Sequence, residues 1–233
     1  MELNITKMND KKTNGIFVTF EGIDGSGKST QASSLLRKVQ ESGLNAVLFR
    51  EPGGTRISEQ IRQILLSTKH TEMSSITEVL LYSAARAQLT EEMVIPGLRD
   101  NDVVICDRYY DSTTAYQGYG RGIDMEFISA LTKEAARKIE PDLTFLVDVD
   151  ADLAEKRSST IGRKDRIELE NYEFKIRVIQ GFRDLAEKFP DRIVILDGSK
   201  EVEQLTETAW KKIQTLLEKK GIIIDLEVNS ENI

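Results

Sequence analysis

Five short runs rich in apolar and β-branched residues constrain this chain more than any other feature: Gly15 to Glu21, Ala46 to Arg50, Val103 to Asp107, Leu143 to Val149 and Ile193 to Asp197. A strand with one wet face alternates apolar and polar residues, whereas these runs are nearly continuous, the pattern of strands buried on both faces of a parallel sheet. Parallel neighbours need long crossovers, and the intervening segments have helical spacing. Ser29 to Ser42 ends at Gly43, a natural residue for the left-handed position after a helix. Ser75-Ile76-Thr77-Glu78 has the form of a capping box opening a long helix, which Pro96 should bend or end. Asp124 to Ile139, Ala151 to Ser159, Asn171 to Phe189 and Val202 to Lys219 complete the set. Alternation of this kind predicts an α/β domain of three layers, a five-stranded parallel sheet flanked by helices, with right-handed crossovers.

A length of 233 residues suits one such domain, spanning 15–220 between tails at 1–14 and 221–233, although Ile222-Ile223-Ile224 could pack. One Cys cannot close an intramolecular disulfide, and with one His it cannot build a Cys/His zinc cage. Cys106 sits in an apolar run and reads as a small buried hydrophobe, while His70, among polar residues, reads as a loop residue. Hydrolases of the Ser-His or Cys-His type are thereby disfavoured. The net charge of −7 gives no general reason to sit on nucleic acid or an anionic membrane. Because the N-terminus lacks an apolar secretory core and no stretch approaches about 18 apolar residues, the cytoplasm is the expected compartment.

Against that acidic background, Gly22-Ile23-Asp24-Gly25-Ser26-Gly27-Lys28-Ser29 matches G-x-x-x-x-G-K-[ST] between an expected strand and an expected helix. Glycines let the backbone N–H groups curl inward, and the helix adds the positive end of its dipole. Lys28 would then reach the terminal phosphates of a nucleotide and Ser29 would ligate Mg²⁺. Asp107-Arg108-Tyr109 closes the third strand. Beside a phosphate loop its carboxylate can hold Mg²⁺ and its Arg can bridge phosphates, although a surface ion pair is the plainer alternative.

Two loops fit neither helix nor strand. Arg50-Glu51-Pro52-Gly53-Gly54-Thr55 forms an unusual path after the second strand, either a binding loop or an ordinary turn. Lys156 to Glu168 holds five basic and two acidic residues, leaving a net −10 on the rest of the chain. Such a run is either a solvated helix face or, because Gly162 interrupts it, a lid at about 157–168 that closes cations over phosphates. Tyr82 and Arg86, four apart on one helix face, are either core residues or a stacking ring with a hydrogen-bonding partner.

Together these motifs resemble the thymidylate kinase family, in its bacterial form. The similarity runs from about Gly15 to about Lys212 through the phosphate loop, Arg50 to Thr55, Ala84-Ala85-Arg86, Asp107-Arg108-Tyr109, Ala115-Tyr116-Gln117-Gly118 and Asp165-Arg166-Ile167-Glu168. The resemblance implies a P-loop kinase fold and Mg²⁺-dependent transfer of phosphate from ATP to dTMP. It implies an ATP site of Gly22, Ile23, Asp24, Gly25, Ser26, Gly27, Lys28, Ser29 and Thr30, with Ser29 and Asp107 at the metal. Arg50 and Arg108 would hold the acceptor phosphate, Tyr82 would stack on thymine and Arg86 would bond its exocyclic oxygen. Asp24 would lie near the 3′-hydroxyl, Tyr116 would exclude a 2′-hydroxyl, and Gln117 and Thr113 would complete the dTMP site. Some relatives carry an Arg immediately after the loop Asp; here that position is Gly25, which resembles the subclass whose lid supplies the cation. Arg163, Lys164 and Arg166 are the lid candidates, so Lys28, Arg108, Arg163 and Arg166 are the expected catalytic set. Tyr82 stands where many relatives have Phe, and Arg56 where small residues or Pro are commoner. The resemblance further implies a homodimer, through the helices after Ser75 or Asp124, and no nucleic-acid or membrane partner.

Other readings have weaker support. A regulatory GTPase would need N-K-x-D, and a transport or motor domain a Leu-Ser-Gly-Gly-Gln signature or an Asp-Glu pair closing an apolar strand; the chain has none of these. A kinase for another nucleoside monophosphate or a deoxynucleoside is the nearest alternative.

Overall fold

The computed structural model describes residues 15–159 and 164–222. Residues 1–14, 160–163 and 223–233 lie outside the described residues, so the expectations placed on Arg163, Ile223 and Ile224 have no structural counterpart here.

All five expected strands form: β1 (Ile16–Glu21), β2 (Ala46–Arg50), β3 (Val103–Asp107), β4 (Leu143–Asp148) and β5 (Ile193–Asp197). They pair parallel in the order β2-β3-β1-β4-β5. Every residue of β1 and β3 is buried, as continuous apolar runs require. Along β1, Ile16, Val18 and Phe20 enter one core with Leu35, Val39, Trp210 and Ile213, while Phe17 enters the other with Leu98, Val104 and Tyr109. The two-residue period of the strand thus feeds both helical layers. In this order β1 and β3 lie side by side, but their crossovers leave in opposite directions, toward β2 and toward β4. The crevice at their carboxyl ends is therefore the topological switch point where an open α/β sheet binds ligands. Phe20 stands opposite Asp107 there, which brings the phosphate loop beside Asp107-Arg108-Tyr109.

The helices flanking the sheet are α1 (Lys28–Glu41), α2 (Arg56–Leu66), α3 (Ser75–Leu89), α4 (Ile95–Asp100), α5 (Tyr110–Thr113), α6 (Met125–Ala135), α7 (Ala151–Ser158), α8 (Tyr172–Lys188) and α9 (Val202–Lys220). Several depart from expectation. Helix α2 was not anticipated; Thr55 caps it by accepting from the Ser58 N–H, yet only Ser58 and Leu65 of its residues are buried. The cap of α3 is Ser74, not Ser75, and Glu78 does not close a capping box but turns inward, 1 % exposed. Pro96 does not end the long helix. A π-helical stretch, Thr90–Val94, links α3 to α4, and the widened turn accommodates a ring that cannot donate a backbone bond and crowds the preceding turn. A second π-helical stretch, Thr114–Gly120, continues α5 through a segment with no helical expectation. Helix α6 stops at Ala135 instead of Ile139, because Arg137 and Lys138 take left-handed conformations. Ile222 packs on the main core, so the C-terminal tail is not wholly outside the pattern.

Candidate active site

Lys28 is buried at the start of α1, its Nζ 3.5 Å from the Ile23 carbonyl and 3.4 Å from Asp24 Oδ1. Burial and the neighbouring Arg108 charge pull its ammonium below the usual lysine range, while Asp24 and Asp107 hold it charged. Gly22, Gly25 and Gly27 all have positive φ. At Gly25 a Cβ would collide with the Ala154 carbonyl of α7. No side chain fits at that position without displacing α7, which gives the structural reason why the residue after Asp24 carries no cation.

Asp107 closes β3 with Oδ2 accepting from Ser29 Oγ at 2.5 Å, while its buried Oδ1 has no partner among the described residues. A hydroxyl and a carboxylate oxygen side by side form a hard-donor pair suited to Mg²⁺, which keeps water and substrate phosphate as its remaining ligands. That fits the absence, among the described residues, of any group of three or more acidic, His or Cys side chains that could hold a metal alone.

Arg108 organises the centre from an unusual backbone, a non-glycine residue at φ 71°. Its N–H donates to the Phe20 carbonyl at 2.9 Å, which fixes the turn. The guanidinium donates to Asp24 Oδ1 at 2.6 Å, to the Gly22 carbonyl at 2.9 Å, to Ser112 Oγ at 3.0 Å and to Tyr116 Oη at 3.1 Å. Tyr116 in turn donates to Asp24 Oδ2 at 3.0 Å. Burial would raise the Asp24 carboxyl, but Arg108, Lys28 and these hydrogen bonds hold it well below the ordinary carboxylate range. Beneath Arg108, Glu21 accepts from the Tyr109 N–H at 2.8 Å and Ser112 Oγ at 2.5 Å. Burial and the charge of Asp111 push its carboxyl up to about 8.

Asp24, Lys28, Ser29, Asp107 and Arg108 line a cavity of about 150 Å³ with Arg50, Tyr82, Arg86, Thr113, Tyr116 and Gln117. The residues assigned to dTMP from sequence thus converge in space. Arg86 is buried against Glu51, its Nε donating to Oε2 at 2.8 Å, and its Nη1 has no partner among the described residues. Arg50 reaches the same cavity from β2, paired with Glu59 at 2.8 Å and half exposed. The left-handed Gly53 and Gly54 confirm the unusual path after β2. Cys106 is fully buried, and His70 lies in the loop before α3, as anticipated.

The lid differs from expectation. Lys164 is tied to Glu155 of α7. Arg166 donates to Glu78 at 2.7 Å and to the Leu65 carbonyl at 2.9 Å, and it does not line the cavity. In this arrangement its charge is spent on a buried carboxylate instead of facing the cavity. Sequence reasoning also passed over Glu51, Glu59 and Glu78, whose importance lies in partners distant in sequence. Glu51 carried a local hint, as the residue following Arg50 at a strand end; Glu78 was hidden by its resemblance to a capping residue.

A parallel sheet with a phosphate loop after β1, a metal-competent carboxylate after β3 and an arginine-lined acceptor cavity defines a P-loop nucleotide kinase. The thymidylate kinase family profile matches residues 20–209. Thymidylate kinase of Kosmotoga olearia is 41% identical over 206 residues, 88% of this chain and 99% of that protein. That of Pelotomaculum thermopropionicum is 46% identical over 187 residues, covering 80% and 87%. The crystal structure of thymidylate kinase from Ehrlichia chaffeensis superposes with a TM-score of 0.70 at 36% identity, covering 86% of this chain and 99% of that one. This chain belongs to the thymidylate kinase family. Its reaction is the transfer of phosphate from ATP to dTMP, giving dTDP.

Proposed function

We propose that the cavity at the carboxyl ends of β1 and β3 carries out this transfer with the following division of work. The loop from Gly22 to Ser29, with Thr30, holds the ATP phosphates, and Lys28 carries charge that develops on the transferring group. Ser29 and Asp107 hold Mg²⁺, which when bound with ATP neutralises the phosphate oxygens and keeps them in line. Arg108 and Arg50 hold the acceptor phosphate; for Arg50 this means exchanging Glu59 for phosphate. Tyr82 stacks on the base, Arg86 and Gln117 read its edge, Thr113 bonds it, and Asp24 and Tyr116 face the sugar. Arg163 and Arg166 are the lid cations, and for Arg166 that role requires release from Glu78.

One observation carries this reading. Arg86 Nη1, Glu51 Oε1, Asp107 Oδ1 and Thr113 Oγ1 are buried without a partner among the described residues, and all four residues line the cavity. An unsatisfied buried polar group costs about 1–3 kcal/mol, so so many around one cavity mark where a polar ligand completes the structure. Calorimetric titration tests it: Tyr82→Ala should weaken dTMP at least tenfold and leave ATP within twofold, and unchanged dTMP affinity contradicts the assignment.

We further propose that the enzyme works in the cytoplasm as a homodimer. Ile57 and Ile64 on α2 and Ile76 and Leu80 on α3 are exposed large hydrophobics, and the two helices pack against each other. Sedimentation velocity should give a dimer that Ile64→Glu with Leu80→Glu converts to monomer; a monomeric parent chain contradicts this.

A further inference from the structure

Among the described residues outside the reacting centre, Glu78 is the buried carboxylate that accepts the most side-chain hydrogen bonds. Its Oε1 accepts from Gln117 Nε2 at 2.9 Å and Arg121 Nε at 3.0 Å; its Oε2 accepts from Arg121 Nη2 at 2.9 Å and Arg166 Nη1 at 2.7 Å. Burial alone would favour its neutral form, but the hydrogen bonds from Arg121 and Gln117, the Arg121 charge and the hydrogen bond from Arg166 pull its carboxyl below the usual range. Glu170, 2.6 Å from Arg121, balances the second positive charge.

An ionised carboxylate only accepts hydrogen bonds, whereas an amide has one donor end and one acceptor end. Gln117 must therefore present its NH₂ to Glu78. Its oxygen is left as the end available to the cavity, and it accepts no hydrogen bond from the protein among the described residues. We propose that Glu78 is a positioning residue for acceptor specificity: by fixing the Gln117 amide it presents an acceptor to the base, selecting pyrimidines that carry an N3–H over those with a bare N3. This rests on the reading that Gln117 meets the base edge. Thymine offers N3–H and is accepted. Cytosine offers an N3 lone pair, which would face the amide oxygen with no proton between them, an unpaired buried contact of the kind that discriminates strongly. Arg86, whose donors suit an exocyclic oxygen and oppose an exocyclic amine, supplies a separate share of the same selectivity.

With Glu78 replaced by Gln, the facing group can donate as well as accept, and Gln117 is free to turn over. The experiment is steady-state kcat/KM for dTMP and dCMP in the parent enzyme, Glu78→Gln, Gln117→Ala and the double variant. The dTMP-to-dCMP ratio should fall at least tenfold in Glu78→Gln and in Gln117→Ala, and the double variant should match Gln117→Ala within twofold, as expected for residues acting through one another. A purely structural role would lower both acceptors together and leave the ratio unmoved; that outcome, or additive losses in the double variant, overturns the proposal. A ratio lowered by Gln117→Ala but not by Glu78→Gln overturns it while sparing the reading of Gln117, and a ratio unmoved in Gln117→Ala overturns that reading itself. If Glu78→Gln does not fold, Glu78→Gln with Arg121→Gln, which removes one charge of each sign, takes its place with the same expected ratio.

Discussion

Lys28→Ala should lower kcat at least a thousandfold while the KM for dTMP changes only a fewfold. The ammonium is buried at the head of α1, where water cannot substitute for it and where charge stabilisation is worth about 3–4 kcal/mol per donor. Phosphoryl transfer asks the protein mainly to position groups and neutralise charge, so losing this cation should act in the transition state more than in acceptor binding. The fold should survive, because Asp24 keeps Arg108 as its partner at 2.6 Å. Steady-state kinetics together with a melting curve check both points. A kcat within tenfold of the parent would remove Lys28 from the reacting centre.

The second large effect is expected at Arg108, where Arg108→Ala should reduce kcat/KM for dTMP by about a thousandfold, through both kcat and KM. One side chain here joins Asp24, Gly22, Ser112 and Tyr116, so its loss frees the acceptor side and the phosphate loop from each other at once. The left-handed backbone at this position is a strain that the molecule maintains for placement of the guanidinium. The variant also has a pH signature. Asp24, with its folded carboxyl held below the unfolded value, stabilises the parent above the ordinary carboxylate range, and this contribution is lost as pH falls through the folded value. Without Arg108 that acid-side loss should shrink in melting curves taken from neutral pH downward. A kcat/KM within tenfold of the parent contradicts the assignment.

The strands were legible because burial on both faces writes itself into sequence as an unbroken apolar run, and all of them formed where such runs lie. Helix α2 shows the opposite case. Its cap Thr55 and its spaced Ile57, Ile61, Ile64 and Leu65 are visible once known, but they abut a Pro-Gly loop, and Ile57 and Ile64 stay exposed in the folded chain. The stretch from Tyr110 to Gly120 is rich in Tyr, Gly and Thr, poor helix formers, and owes its winding to packing against α8, a tertiary effect that local propensity cannot register.

At the site, residues defined by chemistry were legible and their protein partners were not. Lys28 stands out because it falls in a phosphate-loop motif at the head of α1, and Asp107 and Arg108 because they close an apolar strand with charge. By contrast, the ion pair of Arg86 with Glu51 joins residues 35 apart, and that of Glu78 with Arg166 joins residues 88 apart. Periodicity cannot anticipate such pairings, and so Arg166 was expected at the phosphates while the structure ties it to α3.

The most direct test of the account is a coupled assay of initial rates with ATP, Mg²⁺ and each of dTMP, UMP and CMP as acceptor. Tyr82, Arg86, Tyr116 and Gln117 around one cavity predict that dTMP is phosphorylated at least a hundredfold more efficiently than UMP or CMP, whereas comparable kcat/KM values for all three would contradict it.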